Sequence, residues 1–138
     1  MIVVDTNVVA YLLLPGQQTA AARAVLARDA AWAAPLLWRS EFRNVLALYL
    51  RQRHLSLAQA IELQATGEAL LAGREYAVDS GDVLTLAAQS GRSAYDCEFV
   101  AVARALGVPL ITSDGQLAGS FPELAVDVQA FASGATGA

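Results

Sequence analysis

Lysine is missing altogether from this chain of 138 residues: the nine basic side chains are all arginine, set against 13 acids and a single histidine, His54. The formal net charge is −4. A chain that is acidic overall does not coat a nucleic-acid duplex through its general field. Any nucleic-acid chemistry here has to rest on a local arginine patch or on metal ions. Cysteine is nearly missing too. The lone Cys97 excludes an internal disulfide and fits a reducing, cytoplasmic compartment. Charged residues amount to only 16%, while 56% are hydrophobic and the mean hydropathy is +0.43. That balance excludes a disordered chain and implies that some apolar surface is shared with a partner. Long apolar runs are absent. The uncharged stretch Val8 to Ala22 is broken by Pro15-Gly16-Gln17-Gln18, so no membrane-spanning helix is expected. Asp5 interrupts the first apolar run and no basic segment precedes it, so no signal peptide is expected.

What remains reads as one α/β domain over residues 1–132 with a flexible tail over 133–138. Ile2-Val3-Val4 is a short β-branched run, a buried strand ending at Asp5. A short helix over Val8 to Leu14 stops at Pro15-Gly16, and an alanine-rich helix spans Thr19 to Arg28. Ala31 to Ala34 is a brief strand ended by Pro35. Leu37 to Arg53 is amphipathic, with Phe42, Val45, Leu46, Tyr49 and Leu50 at helical spacing. Ser56 and Gln59 form a capping box for a helix running to Ala72. A strand over Glu75 to Val78, a helix over Gly81 to Gln89, and a helix from Ser93 to Leu106 follow, the last closed by Gly107. Val108 to Thr112 is a buried strand leading into a turn, Ser113-Asp114-Gly115, and Ala125 to Val128 is an edge strand. Strands alternating with helices predict a three-layer α/β/α sandwich around a mostly parallel sheet of four to five strands.

Open parallel sheets build their sites outside the carboxyl ends of the strands. Asp5 and Asp114 fall at such ends, and Glu41 and Asp96 fall in first turns of helices, so four acids from four distant segments can converge on one edge. Each has a structural role open to it. Asp5 can cap a helix, Asp96 can complete a capping box with Ser93, Asp114 can serve a turn, and Glu41 can face a helix dipole. As a set they repel one another. A divalent cation with hard oxygen ligands, Mg²⁺ or Mn²⁺, is the usual compensator. Such a site hydrolyses phosphodiesters without histidine, lysine or a nucleophilic serine.

The motifs around these acids resemble those of PIN-domain proteins, most closely the VapC-type toxin ribonucleases of toxin–antitoxin pairs. They are Ile2-Val3-Val4-Asp5-Thr6-Asn7-Val8, Ser40-Glu41-Phe42-Arg43-Asn44-Val45, Tyr95-Asp96-Cys97-Glu98-Phe99-Val100-Ala101, and Pro109-Leu110-Ile111-Thr112-Ser113-Asp114 followed by Leu117. The resemblance implies a metal-dependent endoribonuclease in which Asp5, Glu41, Asp96 and Asp114 hold Mg²⁺ or Mn²⁺. It makes Thr6 and either Thr112 or Ser113 supporting hydroxyls, and has Asn7 hydrogen-bond around Asp5. Where many relatives carry a further acid this chain has Gly115 and Gln116, which implies one tight metal site and at most a weak second. It also implies an RNA substrate, a cognate antitoxin and a homodimer, with the helices from Leu12 to Leu26 and Leu55 to Leu71 as the partner surfaces.

Other residues divide less clearly. Arg43 and Arg92 are candidate substrate contacts. Arg39, Arg43, Arg51 and Arg53 form either a phosphate-binding stripe or a solvated helix end. Glu98, about 200° around the helix from Asp96, reads as a salt-bridge or partner residue, Cys97 as buried packing, and His54 as a solvated helix-end residue. Trp32 and Trp38 read as core, although an exposed tryptophan there would suit a partner groove. The alternative to an enzyme is a PIN-fold protein-binding module with repressed or vestigial nuclease activity. A haloacid-dehalogenase-type phosphatase is disfavoured, because it wants a second acid at position 7, which is Asn, and a lysine.

Overall fold

A computed structural model of the protein describes residues 1–134; of the tail expected to be flexible, Ser133 and Gly134 form a turn and 135–138 lie outside the described residues. The elements run β1 (Ile2–Val4), α1 (Thr6–Leu13), α2 (Thr19–Arg28), β2 (Trp32–Pro35), α3 (Leu37–Arg51), α4 (Leu57–Leu70), β3 (Glu75–Tyr76), α5 (Ser80–Ser90), α6 (Ala94–Leu106), β4 (Leu110–Thr112), α7 (Gly115–Ser120), β5 (Ala125–Asp127) and α8 (Val128–Ala132). The five strands form one sheet in the order β3-β2-β1-β4-β5, every pairing parallel. β1, β2 and β4 are buried residue by residue. That is what parallel strands covered on both faces require, and it is why their sequences read as continuous apolar runs.

α6 lies across β1, β2 and β4 with α5 packed against it. α1, α3 and α8 cover sheet strands elsewhere, with α2 packed on α1 and α8 and α4 packed on α3. Trp32 and Trp38 are both fully buried in the resulting core, so neither opens onto a partner groove. No helix among the described residues is long and apolar enough to cross a membrane.

Several expected boundaries shift for local reasons. α1 begins at Thr6, two residues early, because Asp5 caps it. Pro35 belongs to β2 rather than ending it, paired in register with Tyr76 of β3. Val108 and Pro109 precede β4 rather than starting it, and β3 stops at Tyr76. The expected turn at Asp114 is the cap of α7, and Val128 starts α8 instead of ending a strand.

The chain enters the sheet at its centre. It moves outward through β2 and β3, then crosses back to add β4 and β5 on the other side of β1. The order therefore reverses between β1 and β4, where Val4, the last residue of β1, is in register with Ile111. A parallel sheet opens a crevice at such a switch point, at the carboxyl ends of the two strands.

Candidate active site

Asp5 leaves β1 and Asp114 follows β4, so two carboxylates flank the switch point. Thr112, the fully buried last residue of β4, ties them together. Its hydroxyl donates to Asp5 Oδ2 at 2.8 Å and accepts the Asp114 main-chain N–H at 3.0 Å. Asp114 Oδ1 in turn accepts the N–H groups of Gln116 and Leu117 at 2.9 and 3.2 Å, the capping bonds of α7. Glu41 arrives from the second turn of α3. The buried Thr6 hydroxyl holds it, donating to Oε1 at 2.7 Å. Asp96 is the third residue of α6. Ser93 Oγ accepts its N–H at 3.0 Å, but the return bond of a full capping box, from the Ser93 N–H to the Asp96 carboxylate, is absent among the described residues.

The electrostatics bring the four acids into one field. Burial pushes the Asp5 carboxyl above its ordinary range, and the charges of Asp96 and Asp114 push the same way against the bonds from Thr112 and Asn7. Glu41 is raised by burial and by Asp5, Asp96 and Glu98, against the Thr6 bond. Asp96 is raised by burial and by Asp114, with Ser93 and Arg92 opposing. None of the four makes an ion pair among the described residues. The donor set is all hard oxygen and its repulsion is uncompensated, which suits a divalent cation. As placed, however, no group of three or more acids, histidines or cysteines among the described residues is drawn into a cage that could hold a metal ion. Asp5, Glu41 and Asp114 each face internal hydrogen-bond donors instead.

The supporting residues sort themselves. Thr112 rather than Ser113 serves Asp5, since Ser113 Oγ lies 3.0 Å from the Tyr11 hydroxyl. Asn7 reaches Asp5 through its main-chain N–H, at 3.5 Å. Arg92 sits close enough to oppose the rise at Asp96, with its guanidinium donating to Gln116 Oε1 at 2.8 Å. Arg43 is exposed. Arg39 drops out of the phosphate stripe: it is clamped on Glu75 at 2.6 Å and Glu68 at 3.0 Å, and Trp38 Nε1 donates to the same Glu75 at 2.7 Å. Glu98 does not form, among the described residues, the salt bridge that was one of its two sequence readings, and it adds its charge to the field at Glu41. Helical angle alone hid this, because Glu41 comes from another helix. Cys97 is buried beside Ser90.

Fold and site together define a class: a parallel α/β/α sandwich whose switch point gathers carboxylates that make no ion pair among the described residues. The chain belongs to the PIN domain family, whose model matches residues 2–119. PIN domains are generally nucleases and typically use divalent metal ions. Among solved structures, PAE2754 from Pyrobaculum aerophilum is similar at 21% identity and a TM-score of 0.76, over 96% of this chain and 93% of that one. FitAB, solved bound to an IR36 DNA fragment, is similar at 22% identity and a TM-score of 0.69, over 94% and 96%. At these identities the two structures bear on the fold alone. No curated protein matches the sequence.

Proposed function

We propose that the protein is a metal-dependent endoribonuclease, the toxin of a toxin–antitoxin pair. Asp5, Glu41, Asp96 and Asp114 would hold Mg²⁺ or Mn²⁺. The observation that carries this reading is the gathering of half-buried carboxylates from β1, α3, α6 and β4 around the β1/β4 switch point, none of them in an ion pair among the described residues. When bound, the ion supplies positive charge for a phosphodiester and activates water for its hydrolysis. Thr112 keeps the Asp5 carboxylate oriented and holds the Asp114 main chain against it. Thr6 fixes the otherwise free rotamer of Glu41. Arg92, held by Gln116 at the rim, offers a guanidinium to substrate phosphate, and exposed Arg43 a second.

Partnering with an antitoxin has support in a groove of about 440 Å³ between α3 and α4, lined by Leu46, Leu50, Leu57 and Ile61. Leu57 and Ile61 are 64% and 62% exposed. Apolar side chains left this open on a small domain mark an interaction surface.

The test is cleavage of a mixed cellular RNA pool by purified, partner-free protein in Mg²⁺, in Mn²⁺ and in EDTA, beside Asp5→Ala. Discrete fragments that require both metal and Asp5 are expected. No cleavage by folded protein under either metal would overturn the reading in favour of a protein-binding module.

A further inference from the structure

Arg92 lies in the short link between α5 and α6, and both ends of that link are fixed. Gly91 closes α5 in a left-handed conformation, φ 71°, with its N–H on Ala87 O. The Arg92 main-chain N–H donates to Ser90 Oγ at 3.0 Å, and Ser93 caps α6. The side chain is fixed as well. Nη1 donates at 2.8 Å to Oε1 of Gln116, in the first turn of α7. The Gln116 main-chain N–H donates in turn to Asp114 Oδ1 at 2.9 Å. One residue thus bonds the guanidinium through its side chain and a site carboxylate through its main chain.

The way the guanidinium is held does not serve stability. Its side-chain partner among the described residues, Gln116, is a neutral amide on the surface. Its Nε is buried and has no hydrogen-bond partner among the described residues. An unpaired buried donor, and a half-buried charge without its counter-ion, are both destabilising. Yet a carboxylate is close by. Asp96 lies in the first turn of α6. Its carboxyl, raised by burial and by Asp114, feels the charge of Arg92 in the opposite sense. The two make no ion pair among the described residues. An arginine serving only to neutralise Asp96 would sit on it. This one is held away from it, on the side where Asp96 and Asp114 face each other, with donors left over for a phosphate oxygen.

We propose that Arg92 is a built-in cation of the active site, standing on the Asp96–Asp114 side in the place of a second metal ion, so that the protein works with one ion. The inference rests on the nuclease reading and deepens it, from a rim contact with substrate to the number of ions and the source of the remaining positive charge. In phosphodiester hydrolysis the water oxygen bonds to phosphorus, the bond from phosphorus to a ribose oxygen breaks, and one water proton ends on that oxygen. Charge gathers on the phosphoryl oxygens on the way. Sites with two ions meet it with a cation on each side. A guanidinium meets it with charge-assisted hydrogen bonds, and a cation already in position costs no reorganisation at the moment of reaction. The same guanidinium repels a second dication on its own side.

The test reads ion binding and cleavage separately. Titration calorimetry of the RNA-free protein with Mn²⁺ at low ionic strength is expected to give one ion per chain. Arg92→Gln removes a positive charge beside the carboxylates, so it is expected to bind Mn²⁺ about three- to tenfold more tightly, a gain that shrinks as salt rises. Its single-turnover cleavage of the RNA pool is expected to fall about a hundredfold. Tighter ion binding with slower cleavage is the signature of a cation that acts on the substrate. Arg92→Lys keeps the charge without the planar fork; it should bind Mn²⁺ as wild type does and recover part of the cleavage. Two ions bound by wild type would overturn the proposal. So would Mn²⁺ affinity unchanged in Arg92→Gln, which would put the guanidinium outside the field of the site. Cleavage by Arg92→Gln at the wild-type rate would leave Arg92 as a structural neighbour of Asp96. In each of these cases Asp5-dependent cleavage by wild type keeps the nuclease reading intact. Wild type that neither binds an ion nor cleaves RNA would overturn both.

Discussion

Thr112 is the side chain on which the site's geometry turns. It is wholly buried, and its single hydroxyl serves two masters, donating to Asp5 and accepting from the Asp114 main chain. Valine fills the same space but can do neither. Thr112→Val should therefore destabilise the fold by about 1–3 kcal/mol, the cost of leaving buried polar groups unpaired, measurable by urea denaturation. It should also lower RNA cleavage more than stability alone accounts for, since Asp5 and Asp114 lose their common tether. Thr112→Ser keeps the hydroxyl and should recover most of the cleavage. If valine cleaves as well as threonine, the hydroxyl has no part in orienting Asp5. The same reasoning explains why the sequence could offer Thr112 or Ser113 without choosing. Thr112 ends the strand and Ser113 lies just beyond it, and which one faces Asp5 depends on a partner 107 positions away.

Elements show the same division between local and distant information. Wherever a cap, a helical period or a β-branched run lies within a few residues, the sequence is readable: α2 has the expected bounds, and the Ser56–Gln59 capping box forms in full. The two helices that were missed, α7 and α8, have six and five residues, too short for an apolar period to emerge. Both start at an aspartate, Asp114 and Asp127, whose cap is indistinguishable in sequence from a turn. Asp5, Asp96 and Asp114 lie near the ends of elements, where local sequence is readable, whereas Glu41, expected in a first turn, lies in the second turn of α3. The capture of Arg39 by Glu75, and the charge of Glu98 at Glu41, were not legible, because both depend on how helices pack. Helix α4 carries its own example. Gly67 looks like a weak point in a helix, and alanine there would gain about 1 kcal/mol of propensity. But a Cβ at position 67 would lie 3.0 Å from Trp38 Cη2 and 3.4 Å from Leu13 Cδ1. Trp38 is fully buried, stacked on Phe42 and tied to Glu75, so it cannot yield cheaply. Gly67→Ala is expected to destabilise by about 1–3 kcal/mol through overpacking. An unchanged or raised denaturation midpoint would show that α4 slides freely on α3.

For the whole molecule, the acid edge sets stability against function. Asp5, Glu41 and Asp96 have carboxyls raised above their ordinary values in the folded, metal-free protein. The native state then binds protons more tightly than the unfolded chain. Their contribution to stability is full below the ordinary carboxylate range and is lost as pH rises through the raised values. Glu75 works in the opposite sense. Its bond from Arg39 holds its carboxyl low, so its contribution is present above the ordinary range and lost as pH falls through the lowered value. Comparing wild type with Asp5→Asn removes Glu75 from the difference, since both proteins carry it. Without metal at neutral pH, Asp5→Asn should melt at a higher temperature than wild type, because one of the repelling charges is gone. The gap should close as pH falls and the carboxyls protonate. Mg²⁺ should reverse the order. An ion present at a hundred times its dissociation constant stabilises by about 2.7 kcal/mol, so wild type should gain several degrees and Asp5→Asn little. Thermal melts of both proteins at two pH values, with Mg²⁺ and with EDTA, decide the matter. Equal gains in the two proteins would place the ion away from Asp5 and leave the raised carboxyls as a purely structural strain.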